Sequence, residues 1–312
     1  FLRKNDIGEP PWDYYFLQNL EKREYPKYLA KIFYYKTGEK LPLKYDFKTK
    51  NWTINKNKCK TFNQKIQWLK LYDATPLKKD CTDKIKVRSY AKEKIGEEYL
   101  KPVLQICDSF DEIDFNKLPE SFVIKCNHGC KWHYIIKDKY AFLQNKQLLH
   151  IVKRNITGWL EQNYSIWGGL ELQYKGILPK ILIEPFMRDD IQCNCEEIQI
   201  YCFNSKPHLI VRLQDKKTTL YNEKLNIIDD TLFEGDIKIN KSADDLINQS
   251  FVLSEQLLKD FNFVRVDWMV FNNKIWFEEL TFTPYSGFMK FKKKWNYTFG
   301  NLLNIERLKN GL

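Results

Sequence analysis

Long apolar runs are missing from this sequence. No stretch reaches the roughly eighteen consecutive apolar residues that a transmembrane helix needs. The first residues, FLRKNDIGEPPWDYY, also lack the apolar segment of a signal peptide. Cysteines are few, with eight in 312 residues, and several lie in apolar, strand-like runs. They are too sparse for a disulfide scaffold, and they favour a reduced, cytoplasmic compartment.

Acidic residues are the minority among the charged ones. The chain has 51 Lys and Arg against 40 Asp and Glu, a net charge of +11. Such a surplus favours anionic partners: nucleotides, acidic sugars, nucleic acid or a membrane surface. A lysine-rich surface that only keeps the protein in solution is the alternative, and charge alone does not decide between them.

The chain also lacks internal repeats and low-complexity linkers. Apolar residues at helical spacing predict helices in PKYLAKIFYYKTG, over 62–72, 83–95 and 145–164, and in SADDLINQSFVLSEQLLKDF, where Ser242 is the expected N-cap. Apolar runs predict strands at 121–126, in LPKILIEPFM and in EEIQIYCFNSKPHLIVRLQ. Helices come first, then mixed elements, then antiparallel hairpins. This order predicts an α+β protein with more than one lobe.

The segment FNFVRVDWMVFNNKIWFEELTFTP predicts a hairpin whose two strands both carry charges. Arg265 and Asp267 are two residues apart and therefore share one face. A two-residue Asn-Asn turn would place Asp267 roughly opposite Glu278, with Glu279 one pleat further on. Carboxylates on apolar strands are costly unless a cation neutralises them. Mg²⁺ completed by substrate phosphates fits this pattern, and an ion-pair network at the end of a sheet fits it equally well.

The segment FVIKCNHGCKWHYIIKDK permits two interpretations. It contains four candidate zinc ligands within eight residues: Cys126, His128, Cys130 and His133. It also predicts a strand that ends at a lysine, Lys125, followed by a tight turn and a second strand. A lysine beside the backbone N–H groups of a turn suits a nucleotide phosphate, and it is equally typical of a hairpin with a solvated lysine.

A third feature is the apolar strand ILIEPFM. Pro185 ends the hydrogen-bond ladder directly after Glu184, which leaves backbone groups that a purine ring would use. An edge strand that merely ends at a proline is the simpler interpretation of this stretch taken alone.

Together and in this order, these features resemble the TupA-like branch of the ATP-grasp enzymes. The similarity covers roughly residues 60 to 305. It rests on NQKIQWLKLYD, DKIKVRSYAKEKIGEEYL, DSFDEIDFNKLPESFVIKCNHG, ILPKILIEPFM, IYCFNSKP, FVRVDWMV and FEELTFTPYSGF.

The resemblance implies an ATP-grasp fold, in which ATP and Mg²⁺ are held between two α+β lobes. We expect a mainly helical N-terminal region over 1–110. We expect a small lobe with the phosphate loop over 111–187, and a large lobe with the Mg²⁺-binding hairpin over 188–312.

The resemblance also implies roles for individual residues. Lys125 would contact the phosphates, with assistance from Arg88 and Lys131. The adenine would lie against Glu184, Pro185, Phe186 and Met187, with Glu184 as partner of its amino group or of the ribose. Asp267 and Glu279, with Glu278, would bind Mg²⁺. Arg265 would neutralise phosphate charge, and His128 is a candidate base for the amine, as is His208.

Two positions depart from the family pattern. Relatives continue the Asn-His-Gly turn with a Ser-Gly-Trp type of run, where this chain has Cys130-Lys131-Trp132-His133. Relatives often carry a lysine in the strand before CFN, where this chain has Gln199. Lys131 would then supply the missing charge, or phosphate binding is weakened. A degenerate, non-catalytic protein is the alternative, and the retained Asp267 and Glu279 argue against it.

The zinc interpretation becomes weaker beside the resemblance. Cys126, His128, Cys130 and His133 are separated by gaps shorter than those of known zinc sites. Cys193 and Cys195 form a second pair, which would have to come near in space. We therefore expect the segment to cover phosphates.

The resemblance implies that a carboxylate and an amine are joined through an acyl phosphate. The expected acid is a uronic acid, such as the glucuronic acid of a bacterial capsular or other cell-surface polysaccharide. The expected amine is small: an amino acid, an amino alcohol or its phosphate. We expect a cytoplasmic protein with peripheral contact at the inner face of the membrane. A glycosyltransferase module in a longer polypeptide is also expected.

Three other functions remain open. A sugar kinase would use the same ATP site. A glycosyltransferase of surface polysaccharide usually has an Asp-X-Asp metal motif, which this sequence lacks. A nucleic-acid-binding protein needs basic and aromatic residues interleaved on an exposed strand face. The most aromatic strands here carry carboxylates instead, so nucleic acid is not an expected partner.

Overall fold

The computed structural model describes residues 18–187, 196–214, 217–306 and 308. Its architecture comprises an N-terminal unit, a small lobe with a four-stranded sheet and a large lobe with a seven-stranded sheet. The predicted α+β class with more than one lobe is confirmed. Cys193 and Cys195 lie outside the described residues, as do residues 188–194 of the connection between the two sheets.

The N-terminal unit contains helix α1 (Tyr25–Thr37) and a hairpin of β1 (Leu43–Asp46) and β2 (Asn51–Ile54). The predicted end of the helix is confirmed: Gly38 closes it at φ 72°, a left-handed conformation that glycine adopts without a steric penalty. The helix buries Leu29 and Phe33 against the main core. The hairpin was not predicted, because its strands are only four residues long and their side chains are mostly half-exposed.

Three further helices precede the small lobe: α2 (Phe62–Tyr72), α3 (Pro76–Thr82) and α4 (Val87–Ile95). The predicted bounds of the helix over 62–72 are confirmed. Thr61 and Gln64 form a capping box at its start, in which each side chain accepts a hydrogen bond from the backbone N–H of the other residue. The helix predicted over 83–95 begins only at Val87, because the Asp83 carboxylate accepts from the N–H of Ile85 and holds a turn there.

The small lobe is an antiparallel sheet in the order β3-β6-β4-β5. Its strands are β3 (Gln105–Cys107), β4 (Phe122–Cys126), β5 (His133–Ile136) and β6 (Ile181–Pro185). Its helices are α5 (Lys139–Gln144), α6 (Lys146–Leu160) and α7 (Tyr164–Trp167). Val152 and Ile156 of α6 pack in the core of this lobe. Strand β3 lies within the region 1–110 that was predicted as N-terminal, although it pairs here with β6.

The large lobe has the strand order β10-β9-β8-β7-β12-β13, with β11 added beside β9. These strands are β7 (Glu196–Phe203), β8 (Lys206–Gln214), β9 (Lys217–Tyr221), β10 (Ile227–Ile228), β11 (Ile237–Lys238), β12 (Phe263–Phe271) and β13 (Lys274–Thr281). Two helices pack on the sheet: α8 (Asp245–Leu257) and α9 (Lys293–Leu302). The prediction of Ser242 as N-cap is wrong. Asp244 caps α8, because its carboxylate accepts from the N–H of Ile247 at 3.2 Å.

Strand β12 explains where a site can form. Val264, Val266 and Trp268 face the core beneath α8. The alternate residues share the opposite face, where Phe263 packs with α2 and α9 at the start of the strand. Arg265 and Asp267 lie further along that face, where no described helix covers the strand, and they line the space between the lobes. None of the helices that the structure describes combines the length and hydropathy needed to span a bilayer.

Candidate active site

A cleft of about 290 Å³ lies between the two sheets. The small lobe contributes side chains from β4, the following loop and the end of β6. The large lobe contributes side chains from β7, β12 and β13. The predicted site residues that line it are Lys125, Lys131, Glu184, Pro185, Phe186, Met187, Arg265, Asp267, Glu278 and Glu279. The structure therefore brings together ten predicted residues that are spread over 155 positions of the sequence.

A β-bulge sets the register of the carboxylates. Asp267 lies opposite Glu279, and Trp268 lies opposite Phe277, so Glu278 is an extra residue on β13. The prediction that Asp267 lies opposite Glu278 is wrong by one residue for this reason. Successive residues of a regular strand point to opposite faces, whereas a bulge re-aims one of them. Both Glu278 and Glu279 consequently line the cleft.

Arg265 and Asp267 form a two-pronged ion pair. Arg265 donates from Nε to Oδ1 of Asp267 at 2.6 Å and from a terminal nitrogen to Oδ2 at 2.7 Å. Both residues are less than a tenth exposed. Burial raises the pKa of Asp267 to about 6, although Arg265 acts in the opposite direction. Burial would lower the pKa of Arg265, but the Asp267 carboxylate outweighs burial and raises it.

Thr281 connects Asp267 to Glu279. Its hydroxyl lies 2.8 Å from Oδ2 of Asp267 and 2.8 Å from Oε1 of Glu279. A hydroxyl has one hydrogen to donate, so it serves one of these two oxygens at a time. The two carboxylates thus converge on one point, and while Arg265 serves both oxygens of Asp267, Glu279 depends on the shared hydroxyl.

On the small-lobe side, two lysines bridge two carboxylates. Lys125 lies 2.8 Å from Oε2 of Glu184 and 3.1 Å from Oε1 of Glu278. Lys101 makes a short ion pair with Glu278 and lies 3.5 Å from Oε2 of Glu184. Each lysine therefore touches one carboxylate from each lobe, and this network holds the two sides of the cleft together.

The network shifts the pKa values of its members. Burial works against the charge of Lys125, but Glu278 and Glu184 outweigh it and raise its pKa above the usual value. Burial would likewise raise the pKa of Glu278, but Lys101 and Lys125 hold it well below the usual range. The same two lysines lower the pKa of Glu184 against the effect of burial. Lys125, Glu184 and Glu278 are therefore charged near neutral pH.

Arg88 stands behind this network. It donates to the carbonyl of Lys101 and lies 3.5 Å from Oε1 of Glu184. It is not among the residues that line the cleft. As the structure describes it, Arg88 positions Lys101 and Glu184 from outside the cleft.

The stretch predicted to hold adenine ends the small-lobe sheet. Glu184 pairs with Val123, and Pro185 pairs with Phe122 as the last residue of β6. Phe186 and Met187 follow it beyond the ladder and line the cleft, and Lys137 stands over the Phe186 ring at 5.7 Å. The predicted break of the strand at the proline is thus confirmed.

Asn127 anchors the loop between β4 and β5. Its side-chain amide donates to Oδ1 of Asp83 at 2.9 Å and to the carbonyl of Leu178 at 3.0 Å. Its side-chain oxygen accepts from the N–H of Lys180 at 2.7 Å. These three bonds join the base of the loop to the N-terminal helices and to β6.

Trp132 fixes the far side of the loop. It is buried, stacks parallel to Trp159 at 6.1 Å and meets Tyr164 edge-on at 4.9 Å. A Cβ at Gly129 would lie 2.3 Å from the Trp132 ring, so only glycine fits there. The loop is therefore held by packing, while Cys130 and Lys131 face the cleft between these two anchors.

His128 has a different environment from the one predicted for a base. Its Nε2 lies 3.0 Å from the carbonyl of Trp159, and its Nδ1 lies 3.3 Å from the side-chain oxygen of Asn127. Burial lowers its pKa. Neither His128 nor His208 is among the described residues that line the cleft.

The candidate zinc ligands point to different surroundings. Cys126 is buried in the small-lobe core and His128 lies outside the cleft, whereas Cys130 and His133, the latter on β5, line the cleft. Among the described residues, no three His, Cys, Asp or Glu side chains converge as a metal centre.

Mg²⁺ has other requirements, because one or two carboxylates and substrate phosphates suffice for it. Asp267 and Glu279 lie directly across the hairpin, and one hydroxyl serves two of their oxygens. Two hard oxygen ligands at one point fit Mg²⁺: among the described residues, Glu279 has a lysine only at 4.0 Å, and Asp267 would keep its contact with Arg265. Glu278 already has two ammonium partners, so it fits this role less well.

Sequence reasoning missed three polar side chains of the site. Lys84 bonds the carbonyl of Gly129 at 2.8 Å and lies 4.0 Å from Glu279. Lys101 reaches Glu278 because Leu100 forms a bridge with Phe277. Thr281 was read only as part of the hairpin. No local pattern marks the two lysines, since their partners are 45 to 195 residues away. Gln199, one of the two departures from the family pattern, lines the cleft opposite Asp267.

Comparisons with known proteins give a family model and several solved structures. A family model described as TupA-like ATP-grasp matches residues 64–304. Comparison with curated proteins gives no match. Solved structures with a similar fold include the D-alanine–D-alanine ligase of Bacillus anthracis complexed with ATP. That similarity has 17% identity and a TM-score of 0.37, and covers 64% of this chain and 53% of that one.

Two further ligases are similar in structure. The D-cycloserine synthetase DcsG has 12% identity and a TM-score of 0.41, over 75% of this chain and 72% of that one. The N5-carboxyaminoimidazole ribonucleotide synthetase of Thermus thermophilus has 8% identity and a TM-score of 0.36, over 65% and 45%. This chain spans little more than half the length of the D-alanine–D-alanine ligase that it matches.

The family model covers well over half of the chain and includes the strands of both lobes. The predicted resemblance and the predicted ATP-grasp fold are thereby confirmed: this protein belongs to the TupA-like ATP-grasp family.

Proposed function

We propose that this protein is an ATP-dependent ligase that joins the carboxylate of a uronic acid to a small amine through an acyl phosphate. One observation carries the proposal. The cleft of an ATP-grasp family member contains two ammonium groups, Lys101 and Lys125, together with two paired carboxylates, Asp267 and Glu279, that converge on one hydroxyl.

The small-lobe side suits a nucleotide triphosphate. Lys125 and Lys101 offer point charges to phosphate oxygens, and Lys84 and Lys131 line the same cleft. The two carboxylates that they hold now, Glu184 and Glu278, give these ammonium groups a charged partner until phosphates arrive. Phe186 and Met187 supply an apolar surface for a base next to the end of β6.

The large-lobe side suits the metal ion. Asp267 and Glu279 would hold Mg²⁺, which when bound would neutralise phosphate charge. Arg265 keeps Asp267 in place through its two-pronged contact. The Arg265 guanidinium lies 5.8 Å from the centre of the Tyr201 ring, and this cation–π contact helps to fix its orientation.

The proposed reaction has two steps. A carboxylate oxygen of the acid attacks the γ-phosphorus of ATP, and ADP leaves. The amine nitrogen then attacks the carbonyl carbon, and inorganic phosphate leaves with the bridging oxygen. The protein's part is to hold the reacting atoms in line and to balance charge in a site with little water. The amine gives up its proton to a cleft carboxylate or to phosphate.

The substrate class follows from the resemblance. The TupA-like branch is associated with bacterial cell-surface polysaccharides, so the acid is proposed to be glucuronic acid, free or within such a glycan. The amine is proposed to be an amino acid, an amino alcohol or its phosphate ester. The chain's net charge of +11 suits an anionic acid and a phosphorylated amine.

The experiment combines the protein with MgATP, the methyl glycoside of glucuronic acid and a panel of small amines. ADP release and product mass are measured. The proposal predicts ADP only when acid and amine are both present, and a product lighter than their sum by one water. A product heavier by one phosphoryl group, formed without amine, would make the protein a sugar kinase instead.

A matched pair of variants locates the reaction. Glu279→Gln should remove turnover, because its carboxylate faces the proposed metal position. Glu255→Gln, on the helix α8, should keep it. Equal activity in both variants would contradict the assignment of the cleft.

A further inference from the structure

The positive charge of the chain is concentrated at its described N-terminal end. Residues 18–60 contain twelve Lys or Arg and four Asp or Glu, a surplus of eight. The whole chain has a surplus of eleven. This segment lies before residue 64, where the family match begins. The cleft needs none of these charges, so another role has to account for them.

One face of α1 carries part of this charge together with aromatic rings. Lys27, Lys31, Tyr34 and Tyr35 are spaced four, three and one residues apart, which places them on one side of the helix. All four are exposed, and Tyr35 retains 81% of its surface. The opposite side of the helix, with Leu29 and Phe33, is buried in the core.

The turn of the hairpin between β1 and β2 also exposes an aromatic ring and lysines. Phe47 stands at its turn with 84% of its surface exposed, the highest value among the large apolar side chains that the structure describes. Lys48 and Lys50 share this turn and are exposed as well. The Phe47 ring meets Tyr45 edge-on at 5.0 Å, so it has a supported orientation.

A direct contact joins the helix to the hairpin. The Lys27 ammonium lies 5.6 Å from the ring centre of Trp52, and Trp52 packs on Tyr45 at 5.1 Å. The lysines and aromatic rings of both elements therefore form one surface. We call it the basic aromatic surface, consisting of Lys27, Lys31, Tyr34, Tyr35, Phe47, Lys48 and Lys50.

The acidic residues nearby are already engaged. Asp46 accepts the backbone N–H groups of Lys48 and Thr49 and thereby shapes the turn. Glu39 accepts from Thr61 and Asn296 in the interior. Glu24 lies 3.6 Å from Lys27 at one end. The lysines of the surface outnumber Asp46 and Glu24, so its net charge is positive.

We propose that the basic aromatic surface docks the protein onto an anionic lipid bilayer. Lysines near a membrane are attracted by anionic headgroups, and Tyr rings settle at the headgroup level. Phe47 decides between a bilayer and an acidic glycan. It has no hydrogen-bonding group, it is exposed at a hairpin turn, and Lys48 and Lys50 share that turn, which is the arrangement for insertion below the headgroups.

The test is co-sedimentation of the full chain with vesicles. One set is phosphatidylcholine alone, and the other is an equal mixture with phosphatidylglycerol. We expect binding to the mixed vesicles that weakens with salt. Phe47→Ser should lower the partition coefficient roughly tenfold. The double variant Lys31→Gln/Lys48→Gln should lower it roughly 25-fold, about fivefold for each lysine.

Two control variants remove an exposed ring and an exposed lysine elsewhere. Tyr140→Ser removes an aromatic ring that is 71% exposed on α5, and Lys224→Gln removes an exposed lysine of the large lobe. Both should bind vesicles like the unchanged protein. The proposal is overturned by equal binding to both vesicle types or by no binding. It is also overturned if the variants on the surface bind like the controls. Binding to a soluble uronic-acid polymer in place of vesicles, lost in the same variants, would assign the surface to a glycan.

Discussion

Replacing Lys125 by Met tests the charge network from both sides. The ammonium of Lys125 lies 2.8 Å from Glu184 and 3.1 Å from Glu278, and its side chain is 15% exposed. The variant keeps most of the apolar stem and removes only the charge. It therefore asks what the ammonium contributes to the fold and what it contributes to nucleotide binding.

The cost in stability is limited by the neighbours. Removing one partner of a buried ion pair costs about 3–5 kcal/mol when the other charge is left alone. Here Lys101 still reaches both carboxylates, and Arg88 still reaches Glu184. We therefore expect a loss of about 1–3 kcal/mol in the free energy of unfolding, measured by urea denaturation. The loss of a charge-assisted bond to phosphate should weaken ATP binding roughly 10- to 100-fold.

A second variant separates the two effects. Lys125→Met/Glu278→Gln removes the ammonium and the carboxylate together, so stability should return by more than half while ATP binding stays weak. As a control, Lys153→Met on α6 breaks the exposed ion pair of Lys153 with Asp111. It should change neither the free energy of unfolding nor the affinity for ATP by much. Unchanged ATP affinity in Lys125→Met would refute the phosphate role. A double variant that regains ATP affinity along with stability would refute the reasoning as a whole.

Three further predictions concern the metal, the loop and a buried lysine. Asp267→Asn and Glu279→Gln should each lower turnover by at least about a hundredfold, and retained activity would contradict the metal site. The urea midpoint should stay close to that of the unchanged protein in Glu279→Gln, whereas Asp267→Asn leaves the buried Arg265 without its carboxylate and should cost about 3–5 kcal/mol in the free energy of unfolding. Gly129→Ala should raise the KM for ATP and lower the free energy of unfolding by about 1–3 kcal/mol, because the added methyl group meets the buried Trp132 ring. Gly158→Ala, in open space on α6, should instead raise the free energy of unfolding by about 0.5–1 kcal/mol. Burial lowers the pKa of Lys70 to about 7. Above that pH the unfolded chain binds one proton more than the folded chain, so the free energy of unfolding rises with pH, by about 1 kcal/mol over the first pH unit. Lys70→Met should remove that rise in pH-dependent urea denaturation, and an identical slope in both proteins would count against the buried charge.

The elements with strong periodicity could be predicted from the sequence. The helix over 62–72 has its predicted bounds, and the final hairpin turns at the predicted Asn272-Asn273. The hairpin at 43–54 was missed because its strands are short and half-exposed. The N-cap at Asp244 was missed because Ser, two residues earlier, satisfies the same local rule. A local pattern does not decide between Ser242 and Asp244 as N-cap. The ion pair of Asp244 with Arg212, a contact made only in the folded protein, favours Asp244.

The site was predictable where its residues carry a local pattern. Carboxylates on apolar strands, a lysine before a turn and a proline that ends a strand all line the cleft. The bulge at Glu278 was not foreseen, since a one-residue shift leaves no mark in the sequence of either strand. Lys101 escaped because its partner is 177 residues away. Contacts between lobes arise from tertiary packing, and a single sequence does not encode them in local spacing.

The most direct test follows a single oxygen atom. The acid is prepared with heavy oxygen in its carboxylate and is allowed to react with MgATP and the amine. If the carboxylate attacks the γ-phosphorus, one carboxylate oxygen leaves with the phosphate, so the released phosphate should carry one heavy oxygen. Phosphate without the label, formed in step with ADP, would show that no acyl phosphate is made and would contradict the proposed ligase.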